Sequence, residues 1–191
     1  MPKSSMFDRV LERLGLEFER RGVPYMLIGG QAVLLHGDPR LTRDIDVTLG
    51  IGPDRLPEIL QLVQACGWRI LVEFPDRFVS RTMVLPCLDP ESNIRIDFIF
   101  SFSPYEQEAL KRVVRIPIGR AEVCFASIED LIIHKVIAGR PRDLEDIRSV
   151  LLKHPTLDID YIHHWLGEFD ASLNEPFVHQ FDEIRKSITG S

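Results

Sequence analysis

The sequence contains few cysteines and no long apolar run. Its three cysteines, Cys66, Cys87 and Cys124, are far apart, and no Cys-x-x-Cys motif occurs. An odd number at this spacing disfavours a disulfide framework or a zinc ribbon and fits a reducing compartment. No apolar run approaches the roughly 20 residues that a membrane helix requires, and residues 1–15 lack the apolar segment of a secretory signal. We therefore expect a cytoplasmic protein that does not enter membranes.

The chain also lacks an excess of basic residues. Its 23 Lys and Arg are outnumbered by 29 Asp and Glu, which gives a formal net charge of −6 at pH 7. A surface built for tight DNA binding would be basic, so dedicated DNA binding is disfavoured. With 191 residues, of which 45% are hydrophobic, the chain is long enough to bury a core without disulfides. The composition is that of a globular protein.

Hydrophobic periodicity predicts a mixed α/β chain without internal repeats. We expect helices at 5–21, 31–36, 57–66 and 105–112. We expect strands at 25–28, 40–49, 68–72, 77–85 and 93–100, and one or two more within 113–125. After a capping-box pattern that begins at Ser127, helical patterns cover 128–138, 142–153, 158–169 and 175–187. We therefore divide the chain into a mixed α/β core at 1–125 and a helical C-terminal region at 126–191 that packs on the core.

The most informative pattern is a pair of acids on one face of a strand. Apolar and polar residues alternate along 40–49, so Asp44 and Asp46 project from the polar face while the opposite face is apolar. Two carboxylates this close repel each other, and both stay ionised most readily when a cation lies between them. Oxygen ligands of this kind suit Mg²⁺. The alternative is a solvated strand face that carries two acids by chance.

Two further features favour the metal interpretation. Gly29 and Gly30 follow the buried strand 25–28 and precede a short helix, so a phosphate could approach the backbone closely and meet the helix N-terminus. Asp97 lies on the polar side of the alternating segment 93–100 and is the candidate third carboxylate. An element that holds a triphosphate, together with three acids that hold one or two metal ions, is the arrangement that phosphoryl transfer requires.

The segment GGQAVLLHGDPRLTRDID at 29–46 resembles the motif of the nucleotidyltransferase superfamily, a Gly-Gly or Gly-Ser turn followed by Asp-x-Asp. Within that superfamily the chain is similar to the AbiEii/AbiGii toxin-type and minimal nucleotidyltransferases over about residues 23–150. The resemblance implies the nucleotidyltransferase fold, a small mixed and twisted sheet flanked by helices. It also implies Mg²⁺-dependent transfer of a nucleoside monophosphate from an NTP to an acceptor hydroxyl with release of pyrophosphate, and two Mg²⁺ ions are expected.

The resemblance also assigns roles to individual residues. Asp44 and Asp46 would be catalytic metal ligands, and Asp97 would be the third ligand that helps to activate the acceptor hydroxyl. Gly29 and Gly30 would contact the triphosphate. Many members of the superfamily have serine at the second position of the turn, whereas Gly30 offers only its backbone.

Four other residues are candidates for nucleotide binding. Lys135 lies on the apolar stripe of the helix 128–138, and it either reaches the rim or enters the cleft to meet triphosphate charge. The toxin-type relatives have a similar pattern of basic and acidic residues here, which makes Asp146 a candidate; helix capping and ion pairs are the alternative. Arg40 and Thr42 share the polar face with the two acids, so Arg40 could bind a phosphate or the carboxylates themselves.

The sequence leaves the acceptor open. In the toxin-like relatives it is tRNA or a protein, and the chain could then be a toxin with an antitoxin partner. In the antibiotic-modifying relatives it is a small hydroxylated molecule, and the acidic composition favours a small or protein acceptor. One basic cluster could guide an RNA or protect a strand edge: Lys111, Arg112, Arg115 and Arg120. A non-catalytic protein of the same fold, which binds nucleotide or protein as a regulator or antitoxin, is the alternative function.

Overall fold

A seven-stranded mixed sheet forms the centre of the computed structural model, which describes residues 5–37 and 44–189. Its strands are β1 (Tyr25–Ile28), β2 (Asp44–Leu49), β3 (Arg69–Ile70), β4 (Val84–Asp89), β5 (Ile94–Phe100), β6 (Val114–Ile118) and β7 (Ala121–Phe125). Their order across the sheet is β3-β4-β5-β2-β1-β7-β6. β2 is parallel to β5 and β1 is parallel to β7, whereas the other neighbouring pairs are antiparallel.

Helices flank this sheet and follow it in the chain. They are α1 (Met6–Arg21), α2 (Gly29–His36), α3 (Leu56–Ala65), α4 (Pro75–Thr82), α5 (Pro104–Ala109), α6 (Ile128–Ala138), α7 (Pro141–Lys153), α8 (Ile159–Leu173) and α9 (Phe177–Thr189). None of the helices in the described ranges has the length and apolar character needed to cross a membrane. A mixed sheet with flanking helices and a helical C-terminal part confirms the predicted fold class.

The strand predicted at 77–85 is wrong, because most of this segment belongs to helix α4. Pro75 is at the start of α4 and Asp76 is in its first turn, and both residue types favour a helix N-terminus. Val79 is the buried residue of the helix, and Met83 ends it with a φ of 58°. The strand β4 begins only at Val84. The helix-start signals therefore outweigh the weak alternation that favours a strand.

Two clusters of buried apolar side chains hold the layers together. Leu27 belongs to the first cluster, with residues of α1, α3 and the sheet, whereas its neighbour Met26 belongs to the second, with residues of α2 and the C-terminal helices. Successive residues of a strand point to opposite faces, so the clusters lie on the two sides of β1. The second cluster contains residues from before and after position 125 of the chain. The division into a core at 1–125 and a helical region at 126–191 therefore stays a prediction.

Candidate active site

The strands that carry the three predicted carboxylates lie side by side. In the parallel pair of β2 and β5, Asp46 is the Cα partner of Asp97, and Asp44 is the Cα partner of Arg95. Residues directly opposite each other on neighbouring strands project from the same face of a sheet. The apolar residues between them are buried in the first core cluster on the opposite face. The fold therefore brings Asp44, Asp46 and Asp97 together, with an arginine among them.

Asp46 is the carboxylate that is most affected by its surroundings. Burial raises the pKa of its carboxyl above the ordinary value, and the negative charges of Asp97 and Asp44 raise it further, while Lys135 and Arg140 act in the opposite direction. Burial and like charge both disfavour the ionised form of a carboxyl group. The cluster of acids is therefore a place where a cation would be stabilised.

Replacing Asp46 with asparagine is expected to raise the Tm at pH 7 by about 2–4 °C, which corresponds to about 1 kcal/mol in a chain of this size. A carboxyl whose pKa is raised on folding destabilises the folded state at pH values above that raised pKa and has no such effect below the unfolded pKa. The gain should therefore shrink as the pH is lowered toward the ordinary aspartate pKa of about 4. Thermal unfolding at several pH values measures it.

Asp97→Asn is the matched control for this prediction. Asp97 accepts hydrogen bonds from Arg95, so its replacement removes an ion pair and should not raise the Tm. An Asp46→Asn protein that is destabilised at pH 7 as much as Asp97→Asn would contradict the interpretation.

Arg95 already neutralises one of the three acids. Its Nε donates to both carboxylate oxygens of Asp97, at 2.9 and 3.0 Å. Among residues 5–37 and 44–189, no group of three or more His, Cys, Asp or Glu side chains is arranged to hold a metal ion. The three aspartates are on neighbouring strands, but their described side chains do not form a complete three-carboxylate metal site.

Gly29 lies directly against one of the acids. Its φ is +63°, and a Cβ placed on it would be 2.1 Å from Oδ2 of Asp46. Helix α2 begins at this residue, and its N-cap, Ile28, makes no side-chain hydrogen bond to the first turn. The first N–H groups of a helix have no partner within the helix and are suited to bind an anion. Only glycine allows the backbone to turn here beside the carboxylate.

The variant Gly29→Ala is expected to lose both stability and the position of Asp46. The left-handed conformation alone costs a residue with a Cβ about 1–2 kcal/mol, and the new methyl group would also displace the carboxylate. Gly22→Ala is the matched control, because Gly22 has a φ of +62° and a methyl group added there would have no atom within 4 Å. Thermal unfolding and NTP binding of both variants measure the difference. Equal effects of the two substitutions would contradict a specific contact between Gly29 and Asp46.

A second group of charges lies on α6 and α7. Lys135 is only 4% exposed, and its Nζ lies 2.6 Å from Asp143 and 2.8 Å from Asp146. Nε of Arg140 lies 2.6 Å from Asp143. Although burial raises the pKa of Asp143, hydrogen bonds from Arg140 and Lys135 hold it below its ordinary value. Lys135 thus points inward, which is one of the two orientations predicted from the sequence. Two buried carboxylates bind its ammonium group.

A cleft of about 230 Å³ lies between the acids and this second group. It is lined by Gly29, Gly30, Asp44, Asp46, Lys135, Arg140, Arg142 and Asp143. Three acidic and three basic side chains thus face one space, as a site for a metal ion and a polyphosphate would require. Asp97 and Asp146 are not in this lining; Asp146 binds the lining residue Lys135, and Asp97 is the Cα partner of the lining residue Asp46. The candidates Arg40 and Thr42 fall outside the residues that the structure describes.

The sequence reasoning missed the role of Arg95. It stands two residues before Asp97 in an alternating strand, so the same rule that placed Asp97 on the polar face also placed Arg95 there. Arg140, Arg142 and Asp143 belong to the pattern of basic and acidic residues around Asp146, which by itself gives them no place in the site. Their position at the cleft depends on how α7 packs against α6, for which the sequence pattern gives no signal.

The basic cluster that could have guided an RNA is largely neutralised. Three of its four members form ion pairs with acidic side chains: Lys111 with Glu108 at 2.8 Å, Arg112 with Glu129 at 3.0 Å, and Arg120 with Glu12 at 2.9 Å. A cluster whose charges are paired within the chain attracts phosphates less strongly than free cations would.

The chain belongs to a nucleotidyltransferase family. The family described as nucleotidyltransferase of unknown function (DUF6036) matches residues 7–186. A comparison with curated proteins found no match. Together with the fold, the family match confirms the prediction of a nucleotidyltransferase made from the Gly-Gly turn and the spaced aspartates.

Solved structures share the fold at low sequence identity. ANT(2'')-Ia in complex with adenylyl-2''-tobramycin has a TM-score of 0.60 and 16% identity, over 88% of this chain and 99% of that one. The lincomycin-bound lincosamide antibiotic adenylyltransferase LnuA has a TM-score of 0.53 and 18% identity, over 77% and 96% of the two chains. An antigenic nucleotidyltransferase-like protein from Paracoccidioides brasiliensis has a TM-score of 0.53 and 18% identity, over 78% and 75%. At these identities the likeness concerns the fold.

Proposed function

We propose that this protein transfers a nucleoside monophosphate from an NTP to an acceptor hydroxyl in a Mg²⁺-dependent reaction. The observation that carries the proposal is the placement of Asp44, Asp46 and Asp97 on two neighbouring strands, beside the backbone turn at Gly29. The acids and the turn are the two parts that phosphoryl transfer needs, one for metal ions and one for phosphates. We place the reaction in the cytoplasm, where NTPs are available.

The donor set fits a hard divalent cation. The candidate ligands are carboxylate oxygens, which Mg²⁺ prefers, and the raised pKa of Asp46 reflects a concentration of negative charge that a cation would relieve. Asp44 and Asp46 would hold the metal, and Asp97 would join them once Arg95 has left it. When bound, Mg²⁺ neutralises phosphate charge and orients the reacting groups. We propose that two Mg²⁺ ions bind, as the family resemblance implies.

The turn and the exposed arginines would hold the triphosphate. Gly29 and Gly30 line the cleft at the N-terminus of α2, where backbone N–H groups can donate to phosphate oxygens. Arg140 and Arg142 line the same cleft and are exposed, so they can meet the phosphates from solvent. Lys135 lies deeper and would act as a fixed positive charge at the back of the cleft.

Asp143 and Asp146 would act through Lys135. Both carboxylates lie within 2.8 Å of its Nζ, so they fix the position of the ammonium group and offset its positive charge. A role of Asp146 in nucleotide binding is therefore proposed as positioning of Lys135, with no direct contact to the nucleotide.

Asp97 would take up the acceptor proton. In the transfer step the acceptor oxygen forms a bond to the α-phosphorus, the bond between that phosphorus and pyrophosphate breaks, and the hydroxyl proton moves to a carboxylate oxygen of Asp97. A general base must lie within hydrogen-bond reach of the hydroxyl. The carboxylate can accept this proton only when Arg95 does not occupy its oxygens.

A small hydroxylated molecule is the proposed acceptor. The net charge of −6 and the ion pairing of Lys111, Arg112 and Arg120 disfavour an RNA acceptor. Two structures of the same fold were solved with small molecules of this kind, adenylyl-2''-tobramycin and lincomycin. A protein or tRNA acceptor, as expected of a toxin with an antitoxin partner, is the competing class.

Labelled NTPs distinguish these acceptors. The protein is incubated with Mg²⁺, each α-³²P-labelled NTP and a cell extract that has been separated into RNA, protein and small-molecule fractions. We expect label in the small-molecule fraction with release of pyrophosphate, and none with Asp97→Asn. Label in RNA or protein would support the toxin-type reaction. No transfer and no pyrophosphate with any fraction would contradict the proposed activity.

A non-catalytic binding protein is the second candidate function. The pairs Arg95–Asp97 and Lys135–Asp143 favour it, because both satisfy site charges without any ligand. This candidate requires nucleotide binding without release of pyrophosphate, and the same incubation tests it.

A further inference from the structure

Arg95 lies in the carboxylate cluster, and the proposed reaction gives its charged side chain no role. It lies on β5, opposite Asp44 on β2, and donates from Nε to both oxygens of Asp97. The Arg95 side chain is 50% exposed, whereas that of Asp97 is 18% exposed. The arginine can therefore move into solvent, while the carboxylate stays fixed on the sheet.

The surrounding acids hold Arg95 in this position. The hydrogen bonds to Asp97 and the charges of Asp97, Asp44 and Asp46 raise the pKa of its guanidinium. Arginine stays protonated in proteins at any working pH. Loss of a proton from Arg95 therefore does not release the pair, and at neutral pH release requires another cation for Asp97 or another anion for Arg95.

A divalent ion would compete with Arg95 for the same atoms. The two oxygens of Asp97 accept hydrogen bonds from one guanidinium, and these oxygens are also what Asp97 offers to a metal. While Arg95 makes these hydrogen bonds, a metal ion could reach the oxygens of Asp97 only by displacing it.

We propose that Arg95 is a built-in counter-ion that occupies Asp97 in the metal-free protein and is displaced when a divalent ion binds. The ion alone then binds weakly, and it binds tightly only together with the NTP, whose phosphates add binding energy. This inference rests on the metal assignment of the proposed function. It makes Arg95 a residue that links the completion of the metal site to the arrival of the nucleotide.

Binding of Mn²⁺ to the full chain without nucleotide tests the inference. Electron paramagnetic resonance measures free Mn²⁺ in titrations of the wild type, Arg95→Gln and the control Arg69→Gln. Arg69 and Arg95 are both Cα partners of Leu88, so the control removes the same charge from the same face two strands away, at about 10 Å. We expect Arg95→Gln to bind Mn²⁺ at least about tenfold more tightly, because hydrogen bonds to a charged group are lost, and Arg69→Gln to change the affinity by less than about twofold.

Further variants separate the possible outcomes. Asp97→Asn in the Arg95→Gln background is expected to abolish the gain in Mn²⁺ affinity. Arg95→Lys keeps the positive charge but lacks the planar guanidinium group, and it is expected to give an intermediate affinity. Equal affinity of the wild type and Arg95→Gln, or an equal gain in Arg69→Gln, would overturn the inference and leave the metal assignment intact. Absence of Mn²⁺ binding in every protein, both without nucleotide and with ATP added, would overturn both. Circular dichroism of each variant tests whether the substitution leaves the fold unchanged.

Discussion

Asp46→Asn is expected to reduce nucleotidyl transfer by about 10³-fold or more. Asp46 lines the cleft next to Gly29 and faces Asp97 across the pair of β2 and β5. A bound metal ion supplies several kcal/mol of charge stabilisation in the transition state, and each 1.36 kcal/mol corresponds to a factor of ten in rate. The measurement is release of pyrophosphate, or transfer of label, at saturating NTP and Mg²⁺.

The expected gain in stability makes this variant easy to interpret. Because Asp46→Asn should unfold at a higher temperature than the wild type, a loss of activity cannot be attributed to unfolding. Asp76→Asn is the matched control, since Asp76 is an exposed residue of α4 and its replacement removes the same charge. An Asp46→Asn enzyme that keeps more than about a tenth of the wild-type rate would contradict the role of Asp46 as a metal ligand.

Lys135→Met is expected to destabilise the protein by about 3–5 kcal/mol, because removal of one partner of a buried ion pair leaves uncompensated buried charge. Lys135, Asp143 and Asp146 are all buried, and the ammonium group is bound by both carboxylates. In a chain of this size the loss corresponds to a decrease in Tm of about 6–20 °C. Thermal and denaturant unfolding measure it.

Two comparisons isolate the buried charge. Lys111→Met removes an exposed lysine that pairs with Glu108 on the surface, and such a pair contributes about 0–1 kcal/mol. The combined change of Lys135→Met with Asp143→Asn and Asp146→Asn should recover part of the loss, because the carboxylates no longer need a cation. A Lys135→Met protein as stable as Lys111→Met would show that the network is not the structural element described above.

The placement of the three carboxylates could be predicted largely from the sequence. Alternation of apolar and polar residues determines which face a strand residue occupies, so Asp44, Asp46 and Asp97 were each assigned correctly to a polar face. That β2 pairs with β5 in the register that sets Asp46 opposite Asp97 could not be read from this pattern. Strand pairing depends on contacts between distant segments, and periodicity within each strand does not reveal them.

The partners of the charged residues were harder to predict. The apolar stripe of α6 placed Lys135 on the core side and left open whether it reaches the rim or enters the cleft. Its bonds to Asp143 and Asp146 cross the break between α6 and α7. The angle between two helices is set by packing, for which the sequence has no local signal. Segment 77–85 shows the opposite case, since the proline and aspartate at the start of α4 were a local signal that the strand prediction overlooked.

Calorimetric titration of NTP in the presence and absence of Mg²⁺ tests the metal assignment most directly. The wild type is compared with the double variant Asp44→Asn, Asp46→Asn. We expect the wild type to bind NTP much more tightly with Mg²⁺ than without it, and the double variant to lose this dependence on the metal. Equal Mg²⁺-dependent binding by both proteins would contradict the assignment of Asp44 and Asp46 as metal ligands.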